Sequence, residues 1–132
     1  MKLDLRENMY IRTKDGIIAK VDYIDDNTIF FDKDLYRTYG DSIDFLEKDN
    51  LERIIKASYD IIDILEVGDY VNGSPICSFK TDEKDRIWIY TDSNYKCGYL
   101  ENEIKSIVTK EQMEQMAYKV DEWLNELVRI MG

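Results

Sequence analysis

One pattern of short apolar segments and turns occurs twice in this chain. Residues 7–11 (ENMYI) align with residues 67–71 (VGDYV), and a Gly-containing turn follows each of them. Each copy then continues with a strand, an acidic turn, an aromatic strand and a short apolar strand. Segments rich in Ile, Val, Tyr and Phe between such turns are typical of half-buried strands. The repeat therefore predicts two small five-stranded units in tandem, each an SH3-like or Tudor-like barrel.

The turns of the first copy can be placed more closely. Asp15-Gly16 lies between two apolar runs, which predicts a two-residue hairpin loop. A second tight turn is expected at 25–27. Residues 33–50 are polar and aromatic, and they are interpreted as a long connection with a helical turn near 43–46. Residues 51–56 are expected to form the short closing strand.

The C-terminal segment is predicted to be one amphipathic helix. Thr109 and Gln112 have the spacing of a capping box, in which the two side chains satisfy free N–H groups at a helix start. Apolar residues then recur at alternating spacings of four and three: Met113, Ala117, Val120, Leu124, Leu127 and Met131. This face can pack on the chain's own sheets, or it can self-associate to form a homodimer. The candidates for self-association are Trp123, Leu124, Leu127 and Val128.

These elements give a mainly β fold, of the α+β class, with a long C-terminal helix. A length of 132 residues fits one compact unit. The expected boundaries are a first β module at 1–57, a packed junction at 58–66, a second β module at 67–109 and the helix at 110–131.

The composition bears on surroundings and partners. No apolar run approaches the roughly 20 residues of a membrane span, and the N-terminus MKLDLREN lacks the apolar core of a signal peptide. No membrane association and an intracellular location are therefore expected. In that setting Cys77 and Cys97 are expected to be reduced and buried on strands.

The charge is −10, from 28 acidic and 18 basic residues. Because nonspecific nucleic-acid binders need a basic surface, direct nucleic-acid binding is not expected. The acids concentrate in residues 41–69, which suggests either a solvated surface or an acidic surface for a basic protein partner. The partner-binding candidates of this acidic band are Asp41, Asp44, Glu47 and Asp49.

No catalytic, metal or cofactor site is predicted. The chain has no histidine, which removes the commonest general base and zinc ligand. It also has no phosphate-binding glycine loop and no calcium-loop spacing. Its paired carboxylates, at 25–26 and 82–85, lie in predicted turns, where Asp is favoured for conformational reasons. We therefore expect a protein that is not an enzyme.

Aromatic residues are abundant, with ten Tyr, four Phe and two Trp. Several lie beside Arg or Lys in residues 84–99, where rings could stack a base and cations could hold a phosphate. These residues could equally be ordinary strand aromatics. The candidates for a nucleotide ligand are Arg86, Trp88, Tyr90, Tyr95, Lys96 and Tyr99.

Three segments carry a resemblance to known sequences: IIKAS at 54–58, DIIDILEVGDYVNG at 60–73 and IKSIVTKEQM at 104–113. They resemble a group of short proteins encoded by phages and prophages of clostridia and related Firmicutes. The resemblance implies a small accessory phage product in the cytoplasm of the bacterial host, of the kind that includes counter-defence proteins. It assigns no functional residue.

Three functions remain open at this point. The first is a non-enzymatic inhibitor that binds a bacterial defence protein through an acidic surface, in the manner of an anti-CRISPR. The second is a sponge that sequesters a nucleotide immune signal. The third is a phage assembly or interaction module that uses the C-terminal helix.

Overall fold

The described part of the chain folds into two antiparallel sheets of five strands, followed by one helix. The computed structural model describes residues 4–32 and 43–131, with the backbone only at 118–123. The first sheet contains β1 (Tyr10–Thr13), β2 (Ile18–Ile24), β3 (Thr28–Asp32), β4 (Phe45–Glu47) and β5 (Ile54–Ser58). The second sheet contains β6 (Tyr70–Val71), β7 (Ser74–Thr81), β8 (Ile87–Thr91), β9 (Asn94–Tyr99) and β10 (Ile107–Val108). The helix α1 covers Lys110–Met131.

Both sheets have the same connectivity. Their orders are β4-β3-β2-β1-β5 and β10-β6-β7-β8-β9, so the last strand of each half pairs with the first. A 3₁₀ helix precedes that last strand in both halves, at Lys48–Arg53 and at Glu101–Glu103. Each half of the chain therefore builds the same meander with a returning strand.

The predicted closed barrels are wrong. In the described residues the outer strands of each sheet, β4 with β5 and β9 with β10, do not pair, so both sheets stay open. A barrel needs strands long enough to close the ladder, whereas β4 has three residues and β10 has two. The long C-terminal helix is also corrected: α1 is a short helix of 22 residues, about 33 Å in length.

Two local predictions in the first half also need correction. The Asp15-Gly16 loop has three residues, because the Thr13 amide donates to the Ile17 carbonyl at 2.9 Å and only Gly16 has positive φ. The helical turn expected near 43–46 is the strand β4, and the 3₁₀ helix begins only at Lys48. By contrast, Asn72 and Gly73 both have positive φ and form a two-residue hairpin loop between Val71 and Ser74.

Each sheet covers its own apolar cluster. The first cluster consists of Ile11, Ala19, Val21, Ile29, Phe31, Leu46 and Ile54. The second consists of Ile61, Ile64, Leu65, Val71, Ile76, Ile89, Ile104 and Ile107. Three of these come from the segment between the sheets, whose 3₁₀ helix Ile61–Ile64 directs its first and last side chains inward. Residues three apart eclipse in a 3₁₀ helix, which explains why Ile61 and Ile64 share a buried face.

The start of α1 is fixed against the first hairpin. The predicted capping box is confirmed: the Thr109 amide donates to Gln112 Oε1 at 3.1 Å, and the Gln112 amide donates to Thr109 Oγ1 at 3.3 Å. Thr109 Oγ1 also donates to the Gly16 carbonyl at 2.7 Å. A Cβ at Gly16 would lie 2.3 Å from that hydroxyl oxygen, so only glycine permits this approach.

Candidate functional site

A groove of about 640 Å³ lies on the surface of the second half. Three separate segments form its walls: residues 60–63 of the junction, residues 85–87 of the β7–β8 turn, and residues 100–102 before β10. Each wall is fixed by backbone hydrogen bonds within its own turn, such as the 3.1 Å bond from the Asp63 amide to the Asp60 carbonyl. The groove is therefore bounded on three sides by short, ordered turns.

The floor of the groove is apolar. Ile62, Ile87 and Leu100 line it, and all three are half-buried. Ile62 is available because its neighbours Ile61 and Ile64 take the inward positions of the 3₁₀ helix. Partly exposed Ile and Leu side chains in a concave site are typical of surfaces that bind apolar groups.

The rim of the groove is acidic. Four carboxylates line it: Asp60, Asp63, Asp85 and Glu101. Asp63 Oδ2 accepts a 2.6 Å hydrogen bond from Ser58 Oγ, and no ion pair within residues 4–32 and 43–131 joins any of the four to a cation. The groove therefore offers uncompensated negative charge around an apolar floor.

Arg86 is the cation that lines this groove, but its charge is engaged elsewhere. Its Nε donates to Asp82 Oδ2 at 2.8 Å, and Trp88 Nε1 donates to the same oxygen at 2.9 Å. The Trp88 bond, with further bonds from the Arg86 and Lys84 amides and from the Arg86 side chain, holds the pKa of Asp82 far below its usual range. Arg86 and Trp88 thus stabilise the β7–β8 hairpin.

The residues predicted to bind a nucleotide lie on β8, on β9 and in the turn before β8. Tyr90 lies under Lys80, whose Nζ is 5.0 Å from the ring centroid. Tyr95 and Lys96 contact each other on β9 at 5.8 Å, and Tyr99 packs against the second apolar cluster. Arg86 and Trp88 bond to Asp82 in the β7–β8 hairpin, Tyr90 and Tyr95 each contact a lysine, and Tyr99 is half-buried against the second apolar cluster.

The acidic residues of 41–69 lie in different parts of the structure. Asp44, Glu47 and Asp49 are exposed on and beside β4 and the 3₁₀ helix that follows it, and Asp41 lies outside the described residues. Further along the chain, Asp60 and Asp63 line the groove, whereas Glu66 and Asp69 face Arg12.

A buried ion cluster, which sequence reasoning did not identify, joins both sheets and the helix. Arg12 on β1 is fully buried and donates to both carboxylate oxygens of Asp69, at 2.5 and 2.9 Å. It also donates to Glu111 Oε2 at 2.6 Å and to the Ile64 carbonyl at 3.1 Å. Its Nε is 3.3 Å from Glu66 Oε2 without hydrogen-bond geometry. The available signal was an Arg inside an apolar strand, which needs counter-charges when it is buried.

The cluster extends to the helix start. The Lys110 amide donates to Asp69 Oδ1 at 3.0 Å, and Lys110 Nζ donates to Glu66 Oε1 at 2.8 Å. This bond lowers the pKa of Glu66 and raises that of Lys110. Burial alone would lower the pKa of Arg12, but the bonds and charges of Asp69 and Glu111 outweigh it and raise that pKa. Apart from Arg12 Nε, the charged side chains of the cluster bond to one another or to the backbone, so the cluster joins the parts of the fold.

Two other predictions concern single residues. Cys77 and Cys97 are free and lie on strands, but both are exposed, so the predicted burial is wrong. Cys77 follows inward-facing Ile76 at an irregularity in the β7–β8 register, which places the thiol outside. Of the helix candidates, Leu124 and Val128 are exposed and Leu127 is half-buried; the Trp123 side chain lies outside the described residues.

Comparison with known proteins gives no further information: no protein-family model, curated protein or solved structure matches the chain significantly. Within residues 4–32 and 43–131, no group of three or more acidic or cysteine side chains could hold a metal ion. In the same part of the chain, no helix has both the length and the apolar content needed to cross a membrane.

Proposed function

We propose that this protein is a non-enzymatic inhibitor that binds a bacterial defence protein in the host cytoplasm, and that its binding site is the groove of the second half. The observation that supports this proposal is an apolar floor with four carboxylates around it, none of which forms an ion pair with a cation in the described part of the chain. The phage-type sequence segments at 54–58, 60–73 and 104–113 support the biological setting.

The chemistry of the groove favours one kind of ligand. A protein segment that presents Lys or Arg beside Leu, Ile or Met would place cations on the rim and apolar side chains on the floor. A phosphate-bearing nucleotide would meet four carboxylates and an arginine already bound to Asp82. For this reason a basic, apolar peptide segment is a better ligand than a nucleotide.

The test compares two triple charge reversals. Asp60→Lys, Asp85→Lys and Glu101→Lys reverse the charge of the rim. The control, called the first-sheet variant, combines Asp26→Lys, Glu47→Lys and Asp49→Lys at exposed sites on and beside the first sheet. The probe is a fluorescent peptide that alternates Lys and Leu, and its anisotropy is measured against protein concentration. We expect the rim variant to lose at least about tenfold in affinity, since close charge pairs in an interface contribute more than about 1.4 kcal/mol, and the control to retain binding.

Loss of binding in the first-sheet variant alone would overturn the groove and favour the acidic band. Binding to the wild type should also weaken as salt rises, because the rim charges are screened by solvent ions.

The inhibitory function has a separate assay: the wild type, but not the folded rim variant, should restore plaque formation by a phage that the host's defence blocks. Failure of restoration by the wild type would overturn the inhibitor proposal and leave the peptide-binding result intact.

A further inference from the structure

The C-terminal helix leaves the rest of the protein after its first turns. The last described hydrogen bond from α1 to the body is from Gln115 Nε2 to the Asp15 carbonyl, at 3.3 Å. No described side chain of α1 belongs to either apolar cluster. Towards its end, Leu124 is 47% exposed, Val128 is 70% exposed and Ile130 is 80% exposed. A backbone segment of about 25 Å therefore follows this bond, and Leu124, Val128, Ile130 and Met131 near its end are exposed.

The exposed part of the helix would gain stability from a partner. In proteins most helix stability comes from packing of an apolar face rather than from intrinsic propensity. At the end of α1 the described body leaves Leu124, Val128 and Ile130 exposed, and another molecule can cover them.

The spacing of the apolar positions indicates what that partner is. The stripe at 113, 117, 120, 124, 127 and 131 alternates steps of four and three without interruption. This is a repeat of 3.5 residues, the period at which two helices wrap around each other as a coiled coil. Such a seam fits another helix with the same repeat, and α1 of a second copy has it.

Charge and side-chain order indicate the relative direction of the two helices. Each chain carries a net charge of −10, and a parallel pair would bring two acidic bodies together at the same end. An antiparallel pair separates the bodies by about the helix length, well beyond the screening length of about 8–10 Å. Reversal also maps the stripe onto itself, with position 113 opposite 131, 117 opposite 127 and 120 opposite 124, as a two-fold symmetric interface requires.

We propose that two copies of this protein associate through α1 as an antiparallel coiled coil. The small side chain of Ala117 then lies opposite the larger Leu127 of the second copy, and Met116 lies on the same side as the second copy's Ile130. This assembly uses none of the groove residues and leaves both grooves open, one at each end. A dimer would thus display two grooves, which raises the apparent affinity for a partner that has two matching segments.

The first test measures mass. Light scattering after size exclusion, at several protein concentrations, should give the mass of a dimer for the wild type. Leu124→Glu should give a monomer with unchanged circular dichroism from the sheets, because it places a charge in the seam. Asn125→Glu is the matched control: it adds the same charge one residue away, outside the stripe, and should remain dimeric. A monomeric or larger wild type, or a dimer that survives Leu124→Glu, would overturn the proposal.

The second test determines the direction of the helices by disulfide cross-linking in a background of Cys77→Ser and Cys97→Ser. Ala117→Cys combined with Leu127→Cys should cross-link two chains on oxidation, and Ala117→Cys alone should not. Cross-linking by the single variant would show a parallel pair and overturn the antiparallel arrangement. Because the peptide assay and the mass assay involve different residues, failure of one proposal is distinguishable from failure of the other.

Discussion

The two halves of this protein share a strand order but differ in how they obtain a core. Every buried residue of the first cluster lies on a strand of the first sheet. The second cluster takes Ile61, Ile64 and Leu65 from the junction, and Tyr10 and Ile18 of the first sheet pack against it. The two halves therefore have the same strand order but not the same source of core residues. The first half buries side chains of its own strands, whereas the second half also needs side chains of the junction and of the first sheet.

The boundary between the halves shows why. The strand β1 is buried on both sides, with Ile11 in the first cluster and Arg12 against Asp69 and Glu111. The strand β1, which lies inside the first sheet, thus also packs against residues of the second half and of α1. We expect the largest effects of substitution at this boundary, and smaller effects at residues that serve one half alone.

The largest effect is expected from Asp69→Ala. It removes the bidentate partner of Arg12 and the acceptor for the Glu66 and Lys110 amides, which leaves a buried charge without its main counter-charge. Loss of one member of a buried pair destabilises by about 3–5 kcal/mol. Urea unfolding would measure the change, with Asp4→Ala as the control at the exposed pair of Asp4 and Arg6, where less than about 1 kcal/mol is expected. Similar losses for the two variants would contradict the importance of the buried boundary.

A junction residue should matter as much as a strand residue. Ile64→Ala and Ile29→Ala each truncate a buried isoleucine, one between the sheets and one on β3. Both should lower the free energy of unfolding by about 2–5 kcal/mol, as measured by denaturant unfolding. If Ile64→Ala cost less than about 0.5 kcal/mol, the junction would be an ordinary surface linker and the contrast between the halves would disappear.

Substitution of two buried threonines, Thr13 and Thr91, should change the stability by smaller amounts and in opposite directions. Thr13 Oγ1 donates to Asp15 Oδ1 at 2.6 Å and accepts from the Ile17 amide at 2.9 Å, whereas Thr91 Oγ1 has no hydrogen-bond partner among the described residues. Thr13→Val should destabilise by about 1–3 kcal/mol, because it leaves the Ile17 amide unpaired. Thr91→Val removes an unpaired hydroxyl and should raise the melting temperature by a few degrees, as about 1 kcal/mol does in a domain of this size. A lower melting temperature for Thr91→Val would indicate a partner for that hydroxyl.

The smallest effect is expected at Glu66 and depends on pH. Its folded-state pKa lies below the ordinary value of 4.5, first because Lys110 donates a hydrogen bond to it. A carboxyl group with a lowered pKa stabilises the fold above its unfolded pKa, and this contribution is lost as the pH falls through the folded value. Glu66→Gln should therefore be less stable than the wild type at pH 7, and the difference should shrink below about pH 4.5. Urea midpoints across this range would reveal it; a constant difference would contradict the role of the charge.

The sequence predicted what depends on neighbouring residues. The Gly-containing turn after residue 71 and the capping of α1 by Thr109 and Gln112 follow from local chemistry, and both are present. Asp15-Gly16 was predicted less well, because Asp15 accepts a bond from Thr13 and keeps negative φ, so the loop is one residue longer.

What the sequence did not predict depends on distant residues. Arg12 meets Glu111 across 99 positions, and the groove brings together residues near 60, 86 and 101. No local period carries such information. The repeat predicted the number of strands but not their lengths. β4 ends where a 3₁₀ helix begins at Lys48, and β10 ends just before α1 begins at Lys110, so both strands are too short to close a barrel.

The order in which the ribosome makes the chain gives the buried Arg12 one further consequence. Asp69 is synthesised 57 residues after Arg12, and Glu111 follows 99 residues after it. At about 5–20 residues per second, several seconds pass before the arginine meets its last counter-charge. During that interval the nascent first sheet must keep the guanidinium in water, so β1 can complete its second buried face only after residue 111 has been made.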